Sequence, residues 1–473
     1  MNNDWPVIKL KNYCLKIGSG ATPKGGNSVY HSEGEICLIR SQNVYNEGFR
    51  PDGLVYIDKE AADNLKNVIV EKNDILLNIT GDSVARVCLV KDEYLPSRVN
   101  QHVALIRVNP IELDARFVRY FLASSKMQNL LLIIASSGAT RNALTKSMIE
   151  QLEVPKPSLD IQKSIADKLA LLDDKITLNT QINQTLESMA QAIFKSWFVD
   201  FDPVKAKIAA IEADENPESV NRAAMRTISG KSDDELDKMQ AEQPDDYVQL
   251  EGIAELFPAA MWEAELGEVP EGWEVKKIGD YLNTISKTYP LKTVSEVIFL
   301  NTGDIQNGKV LHSNYSIVET LPGQAKKSIQ KDDILYSEIR PENKRFAYVF
   351  FDGKEHVVST KLMVLRPIAD IDSKFLYFIL TQQNTIDFLQ MMAESRSGTF
   401  PQITFNIISK VEFFGPKDNA LIHTFSKSIL APFMQERYLK DEENIQLSNL
   451  RDTLLPKLLS GELSVEGIEL SET

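Results

Sequence analysis

The amino-acid sequence predicts an α+β protein in which two copies of a mixed domain are separated by two long helices. The helices are expected to pair as an antiparallel coiled coil. Three observations predict this fold: a repeat at an offset near 260, a seven-residue apolar pattern, and an acidic stretch between the copies. At 473 residues the chain exceeds a single hydrophobic core, so two or more domains are expected.

The repeat consists of short phrases that keep their order along the chain. Each copy contains short β-rich runs separated by Gly, Asn and Asp turns, then a helix, a Ser-Gly loop and a final strand. The predicted helices cover about 115–135 and 373–393, and the Ser-Gly loops are Ser137-Gly138 and Ser397-Gly398. The matched phrases are 5–13 with 273–281, 38–44 with 299–305, 72–77 with 331–336, 102–107 with 361–366, and 140–145 with 399–404.

The order of these phrases divides the chain into six parts. Proline breaks the chain after each copy, at Pro157 and at Pro416, and a helical pattern follows. The predicted parts are a first domain 1–157, a first long helix 158–198, an acidic connector 199–271, a second domain 272–417, a second long helix 418–460 and a C-terminal tail 461–473.

Along the first long helix, residues spaced at alternating four- and three-residue intervals form a stripe that we call the seam. This spacing is the pattern of a coiled coil. An ordinary amphipathic core helix is the alternative. The predicted first seam is Ile165, Leu169, Leu172, Ile176, Asn179, Asn183, Leu186, Ala190, Ile193 and Trp197. The predicted second seam is Leu430, Phe433, Arg437, Lys440, Asn444, Leu447, Arg451, Leu454 and Leu458. Asparagines in a seam select register at a cost in stability, and Pro432 predicts a bent or late-starting second helix.

Charge is distributed unevenly along the chain. The net charge is -15, yet the two repeated domains carry about +2 each, and the connector 199–271 carries -13. Each domain can therefore present a modest basic face to nucleic acid. The connector is expected to be helical at most around Val204–Ala213 and Asp233–Gln240, and otherwise an irregular linker.

Several classes of protein are disfavoured by the sequence. No run approaches 18 apolar residues, the N-terminus lacks the features of a signal peptide, and three cysteines at no metal spacing indicate a reducing cytoplasm. The scattered histidines form no metal-ligand pattern. No phosphate-binding loop, HExxH pair or amino-methyltransferase tetrapeptide (Asp/Asn-Pro-Pro-aromatic) occurs, and Ile17–Thr22 lacks the third glycine of a dinucleotide site. We therefore predict a non-catalytic protein without a bound metal.

Four phrases carry a resemblance to a known family. They are Gly267-Glu-Val-Pro-Glu-Gly-Trp273 with the following Glu-Val-Lys-Lys; the Ser-Gly-x-Thr loop with its strand ending at Pro155; Ile161–Ala166 running into Leu172–Ile176; and Leu450–Leu463. With these phrases the chain resembles the specificity (S) subunits of Type I restriction-modification systems over essentially its whole length. The weak second seam and Pro432 depart from the family pattern.

The resemblance implies a function. The repeated domains would be target recognition domains, each reading one half of a bipartite DNA sequence, and the helices would set the gap and dock methyltransferase (M) subunits, two in number. Nuclease and translocase activity would lie in restriction (R) subunits. S-adenosylmethionine, ATP and Mg would be bound by those partners, with no cofactor in this chain.

Residues that read bases need paired donors and acceptors, as in Arg to guanine or Asn and Gln to adenine. Candidates on predicted loops of the first domain are Arg40, Gln42, Asn43, Asn78, Arg86, Arg98, Asn100, Gln101, Arg141 and Asn142. Those of the second are Asn301, Arg340, Asn343, Lys344, Arg345, Lys361, Arg396 and Gln402. The alternative interpretation of each of these residues is an ordinary solvated surface position without a base contact. Lys24, Lys326 and Lys327 suit phosphate contacts.

Two other functions stay open at this point. A coiled-coil scaffold with duplicated protein-binding domains would share the repeat and the seam. A joint basic and amide-rich face on both domains would favour DNA instead. An enzyme of unrecognised type would require a pocket of convergent acidic groups.

Overall fold

The computed structural model describes residues 5–136, 142–264, 267–368, 371–396 and 401–464. These residues form two compact units. One comprises the described residues up to Leu178 together with those from Asn444 onwards, and the other runs from Asn179 to Glu443. Across these ranges, no helix has both the length and the apolar character needed to cross a membrane.

The first unit contains the first copy of the repeated domain. Its described strands are β1 (Val7–Lys9), β2 (Cys14–Ser19), β3 (Ile36–Ile39), β4 (Val44–Tyr45), β5 (Gly48–Phe49), β6 (Val55–Ile57), β7 (Ile69–Val70), β8 (Ile75–Asn78), β9 (Val87–Leu89), β10 (Ser97–Val99), β11 (Val103–Val108) and β12 (Glu153–Pro155). Its described α-helices are α1 (Lys59–Asn64), α2 (Ala115–Ala123), α3 (Ser125–Ser136) and α4 (Lys146–Glu150).

Two four-stranded sheets form this domain. The first has the order β2-β11-β8-β9 and is antiparallel throughout. The second has the order β6-β3-β10-β7, in which β3 and β10 run parallel. All four residues of β8 are buried, because the strand lies inside its sheet and both of its faces are covered. Strand β1 pairs with β12, with Ile8 opposite Val154, so the beginning and the end of the domain meet.

Helices follow the first domain without interruption by strands. They are α5 (Leu159–Phe198), α6 (Asp202–Glu212), α7 (Pro217–Ser229), α8 (Asp233–Glu242) and α9 (Pro244–Glu255). The expectation of a mostly irregular connector is therefore wrong, although both of its predicted helical stretches do form helices.

Polar residues of the connector cap its helices. The Asn216 side chain accepts a hydrogen bond from Ser219 N, and Ser232 forms a capping box with Glu235. Pro217 and Pro244 each occupy a first helical turn, where the missing N–H costs nothing. A small core completes the module; its buried residues are Ala224, Met225, Leu236, Tyr247, Leu250 and Ala254.

The second unit contains the second copy of the domain. The strands are β13 (Met261–Ala264), β14 (Gly267–Pro270), β15 (Trp273–Lys277), β16 (Leu282–Ile285), β17 (Glu296–Leu300), β18 (Ile305–Gln306), β19 (Lys309–Val310), β20 (Tyr315–Ile317), β21 (Ala325–Ser328), β22 (Ile334–Ser337), β23 (Phe346–Tyr348), β24 (His356–Ser359), β25 (Leu362–Pro367) and β26 (Glu412–Pro416). The helices are α10 (Ser373–Thr381), α11 (Gln383–Arg396), α12 (Phe405–Ile408), α13 (Ala420–Phe425) and α14 (Ala431–Leu459), of which α14 continues into the first unit.

The two domains have the same strand topology. The sheet orders β16-β25-β22-β23 and β20-β17-β24-β21 reproduce those of the first domain strand for strand, including the parallel pair β17 and β24. Register is reproduced as well, since Ile75 lies opposite Ile106 in one domain and Ile334 lies opposite Leu365 in the other. The predicted repeat is therefore a repeat of fold.

Each helix predicted within a domain is in fact two helices. Ser124 follows the last residue of α2 and Gln382 follows the last residue of α10, and both have extended backbone angles near φ -61°, ψ 143°. The helices begin with equivalent caps, since the side chains of Asp114 and Asp372 accept hydrogen bonds from Arg116 N and Lys374 N. Both Ser-Gly loops lie outside the described residues.

The two long helices pair antiparallel within each unit, as predicted. In the first unit Asp173 contacts Arg451 at 2.8 Å, and Ile165 shares a core with Leu458. In the second unit Asn179 Nδ2 donates to Glu443 Oε2 at 2.9 Å, and Asn183 Nδ2 donates to Asp441 Oδ1 at 2.8 Å. The centre of the pairing is thus polar, because carboxylates face the seam asparagines.

The seam residues differ in burial. Those buried are Ile165, Leu169, Leu172, Asn179, Asn183, Ala190, Trp197, Leu430 and Leu458. Those half-buried are Ile176, Leu186, Ile193, Phe433, Arg437, Lys440, Asn444, Leu447, Arg451 and Leu454. Trp197 packs edge-on to Phe257 with ring centroids 5.3 Å apart.

The second long helix starts at Ala420, close to its predicted beginning, and changes its hydrogen-bond pattern just before Pro432. A π-helical segment, Ser426–Leu430, separates α13 from α14, and Pro432 lies in the first turn of α14. Proline lacks the N–H that would continue the α-helical ladder, and a wider turn accommodates this loss. Pro456 lies inside α14 near its end.

Candidate nucleic-acid interface

In each domain four loops meet beside the first sheet, and we call them the four-loop cluster. In the first domain they are 40–43, 79–86, 100–102 and 142–144. Hydrogen bonds join them: Asn78 Nδ2 donates to Ser41 O at 2.8 Å, Ile79 N to His102 O at 2.9 Å, and Leu144 N to Ile79 O at 2.8 Å. Residues far apart in the sequence are thereby brought together.

The second domain forms the equivalent cluster from loops 301–304, 338–345, 359–361 and 401–403. Arg345 Nη1 donates to Thr302 O at 2.7 Å, Glu338 N to Lys361 O at 3.1 Å, and Ile403 N to Glu338 O at 2.9 Å. The last two bonds repeat those made by Ile79 and Leu144. The same backbone frame therefore carries both clusters.

In the first domain, five of the predicted residues have side chains that are exposed or half-buried. Gln42 and Asn142 are exposed, while Arg40, Arg86 and Gln101 are half-buried. Gln42 Nε2 donates to Gly53 O at 3.1 Å, and Arg40 donates to the same carbonyl. Arg141 lies outside the described residues.

Four other predicted residues of this domain are buried and hold the loops from within. The Arg98 guanidinium, 8% exposed, donates to Ala62 O and Ser97 O, and its burial lowers its pKa. Asn43 Oδ1 accepts from Arg40 N, Asn78 donates to Ser41 O, and Asn100 Oδ1 accepts from His102 N. These positions do not support base contact, since each side chain is committed to its own domain.

In the second domain the loop 338–345 is the most prominent part of the cluster. Arg340 and Asn343 are exposed, and Arg340 and Lys344 both have left-handed backbone angles, with φ 42° and 52°. Such angles are costly for non-glycine residues and are enriched at functional sites. The loop therefore presents Arg340 to solvent, as its predicted role requires.

The remaining candidates of the second domain surround this loop. Lys361 Nζ lies 3.7 Å from a Glu338 carboxylate oxygen, and Gln402 is half-buried next to Ile339. The Asn301 side chain accepts from Thr302 N, so it caps the turn at 301–304. Arg396 ends α11, and its side chain is not among those described.

The lysines predicted to contact phosphate divide into two kinds. Lys24 and Lys326 are exposed. Lys327 Nζ instead donates to Thr360 O at 3.0 Å and Leu362 O at 2.8 Å, and burial lowers its pKa. Lys327 thus supports the turn that carries Lys361, and its prediction as a phosphate contact is not supported.

Sequence reasoning missed an aromatic platform beside the first cluster. The guanidinium carbons of Arg50 and Arg86 lie 3.9 and 4.6 Å from the centroid of the Tyr45 ring. Cation–π contact holds both arginines near the first loop. The β4–β5 turn in the phrase Tyr45-Asn-Glu-Gly48 was the available signal, since it folds Tyr45 and Arg50 onto one hairpin.

Metal-ligand groups and thiols are two kinds of reactive feature that a catalytic site in the described ranges could use. There, no group of three or more His, Cys, Asp and Glu side chains is placed to hold a metal ion. The three cysteines are unpaired, and burial raises the pKa of Cys14 and Cys88 to about 12 and also that of Cys37. Thiols protonated at neutral pH are poor nucleophiles.

A duplicated domain with matched loop clusters rich in Arg, Asn and Gln, joined to paired helices, is the arrangement of a two-site sequence reader. The family comparison makes this specific. The family model described as Type I restriction modification DNA specificity domain matches residues 2–188 and 270–427. The chain belongs to this family of specificity subunits.

Individual relatives cover most of the chain. It is 32% identical over 443 residues to the Type I restriction enzyme HindI specificity subunit of Haemophilus influenzae, spanning 90% of this chain and 94% of that protein. It is 25% identical over 476 residues to the MjaIX specificity subunit of Methanocaldococcus jannaschii, with 98% and 94% covered. The crystal structure of a Type I S subunit from M. genitalium shares the fold, with a TM-score of 0.53 at 16% identity over 97% of this chain and 96% of that chain.

Proposed function

We propose that this chain is the non-catalytic specificity subunit of a Type I restriction-modification complex and recognises a bipartite DNA target, one half-site per domain. The observation that carries the proposal is the repetition of the four-loop cluster on identical sheet topology. Two copies of one frame can present two independent sets of base-reading side chains.

The side chains at equivalent positions of the two frames differ. Arg40 corresponds to Asn301, and His102 corresponds to Lys361, whereas Arg86 and Arg345 are the same residue type. A guanidinium or ammonium group favours the guanine edge, whereas an amide favours the adenine edge. The two half-sites are therefore expected to differ in sequence, which gives the whole target an orientation.

The long helices supply surfaces for partner subunits. Large apolar side chains are exposed on α5 at Leu171, Leu178 and Met189, and on α14 at Leu439 and Leu450. Exposed apolar side chains on paired helices are typical of protein interfaces. The proposed partners are methyltransferase subunits, two per complex, and restriction subunits, in the cytoplasm and away from membranes. S-adenosylmethionine, ATP and Mg would be bound by those partners.

Methylation mapping tests the proposal directly. DNA from cells that express this chain with its neighbouring methyltransferase subunit is read by long-read sequencing, and cells expressing the methyltransferase alone are the control. Two short specific sequences around a fixed unspecific gap are expected. If the folded, associated methyltransferase produces no new methylation, the protein is instead a coiled-coil scaffold or an inactivated remnant of a specificity subunit.

A further inference from the structure

In the second unit, one arginine links the paired helices to the recognition loops. The Arg437 guanidinium of α14, 19% exposed, pairs through Nη1 with Glu187 of α5. Through Nη2 it donates to the backbone carbonyl of Asn307, in the turn between β18 and β19. A single side chain thus holds both helices and the turn of this hairpin.

That turn is itself bonded to two loops of the cluster. Asn307 N donates to Lys344 O at 2.7 Å, and Gln306 Nε2 donates to Asn343 O at 2.9 Å. Leu311 N donates to Asp304 O at 2.9 Å. Displacing the turn should therefore displace the loop 338–345 directly, and the same hairpin is bonded through Leu311 to the loop 301–304.

The packing leaves little room for the turn to move. Gly308 has φ 86°, and a Cβ atom placed there would lie 2.8 Å from Tyr377 Oη and 3.0 Å from Arg437 Nη2. A second ion pair, between Lys309 and Asp441 of α14 at 2.7 Å, holds the same hairpin. The turn is consequently fixed against both Tyr377 and the helix.

In the first unit an arginine makes the equivalent contact, but it comes from a different element. Arg119 of α2, 7% exposed, donates through Nη2 to the backbone carbonyl of Asn46, which corresponds to Asn307 in the repeat. Its Nη1 lies 3.2 Å from Asp173 of α5. Asp173 also accepts from Arg451 of α14 at 2.8 Å and from Tyr120 Oη at 2.7 Å.

In both units, therefore, the equivalent turn carbonyl accepts a hydrogen bond from an arginine that is paired with a carboxylate of α5. The arginine belongs to α2 in one unit and to α14 in the other, so the shared contact is not a by-product of the repeated sequence. A charge-assisted bond in a partly buried site orients its partner more strongly than a neutral one.

We propose that Arg119 and Arg437 are positioning residues that fix each four-loop cluster to the paired helices, so that sequence discrimination at each half-site depends on its own arginine. This inference rests on the proposed function. It assigns to the helices a role in specificity beyond separating the domains.

The test uses the complex with the methyltransferase subunit and DNA duplexes defined by methylation mapping. One duplex carries both half-sites, and two others have either the first or the second half-site scrambled. Arg437→Gln is expected to reduce discrimination at one half-site by about tenfold and to leave discrimination at the other half-site unchanged. A loss of about tenfold is in the range expected when one charge-assisted hydrogen bond is removed. Arg119→Gln is expected to show the reverse pattern.

Arg222→Gln is the matched control, because Arg222 is a 15% exposed, ion-paired arginine of the connector. It should leave discrimination at both half-sites unchanged. Glu187→Gln is the milder second variant, since it keeps Arg437 but removes its carboxylate, and should weaken the same half-site as Arg437→Gln. If the complex containing Arg437→Gln does not assemble, Glu187→Gln tests the positioning role of Arg437 in its place.

The outcomes separate the inference from the function on which it rests. A wild-type complex without sequence selectivity overturns the proposed function. A selective wild-type complex whose arginine variants keep full discrimination, or lose it equally at both half-sites, overturns the positioning role while leaving the function intact.

Discussion

Arg366 forms a two-point hydrogen bond with Asp333, whose carboxylate is fully buried: Nε lies 2.7 Å from Oδ1 and Nη2 lies 2.8 Å from Oδ2. The repeat contains the same pair in the first domain, where both Arg107–Asp74 distances are 2.8 Å. In each domain the pair joins the long strand at the centre of the first sheet to the turn before its neighbour. The hydrogen bonds raise the pKa of each arginine.

The first prediction concerns this pair. Asp333→Ala should destabilise the protein by about 3–5 kcal/mol, because it leaves an arginine without its partner and removes the acceptor of Gln330 N. Denaturant unfolding monitored by a probe in the second domain measures the loss. Glu412→Ala, at an exposed ion pair with Lys277 in the same domain, is the control and should leave the midpoint unchanged. An equal shift of the unfolding midpoint in both variants would show that burial of the Asp333 carboxylate does not set the size of the effect.

The second prediction concerns acid stability. Burial of His356, which packs against Phe351 with ring centroids 4.2 Å apart, lowers its pKa from 6.5 to about 4. Between these pH values the unfolded chain takes up a proton that the folded protein does not, so this group makes stability fall as pH falls from about 6.5 to 4. The thermal unfolding midpoint should fall less between pH 7 and pH 5 in His356→Phe than in the wild-type protein. An unchanged shift would exclude His356 as a contributor.

The third prediction addresses base contact by the most prominent loop. Arg340→Ala should weaken binding of the complex to its mapped target by about 1–3 kcal/mol and relax selectivity within one half-site only. Competition binding with duplexes altered at single positions measures this. Lys354→Ala removes an exposed cation of the same domain that is 84% exposed, and serves as the control for general charge. Uniform weakening across all sequences would instead make Arg340 a phosphate contact.

The fourth prediction treats the long helices as a ruler. Inserting one helical turn into α5 or α14 adds about 5–6 Å. At about 3.4 Å per base step, the unspecific gap should lengthen by one to two base pairs. Methylation mapping of the insertion variant gives the new gap directly, and an insertion in the loop between α8 and α9 is the length control. A gap that stays constant would exclude the ruler.

The fifth prediction concerns the isolated chain. With a net charge of -15 and only modestly basic domains, it should bind DNA weakly on its own. Adding the methyltransferase subunit should raise affinity by more than about tenfold, because further cationic surface then contacts the DNA backbone. Binding measured at two salt concentrations, with and without the partner, tests this. Tight and selective binding by the chain alone would contradict it.

Much of the fold followed from local patterns in the sequence. Ordered phrase matches predicted the duplicated domain, and heptad spacing predicted both long helices. The order of domain and helix in each copy predicted their antiparallel pairing, since period and repeat are properties of the chain itself. The acidic composition of the connector predicts an irregular linker, whereas Asn216-Pro217 and Gln243-Pro244 each begin a helix. The same residue types mark turns and helix starts, and only packing on a shared core distinguishes them.

The candidate site was less accessible to sequence reasoning, because residue type does not reveal where a side chain points. Arg98 and Arg340 are both arginines on predicted loops, yet one is buried against Ala62 O and the other is exposed. The sequence by itself determined that two domains of one fold carry different polar residues on matched loops. Only the tertiary structure decided which of those residues face solvent, and that Arg119 and Arg437 reach the same turn from different helices. Such contacts join positions far apart in the chain, and no local pattern encodes them.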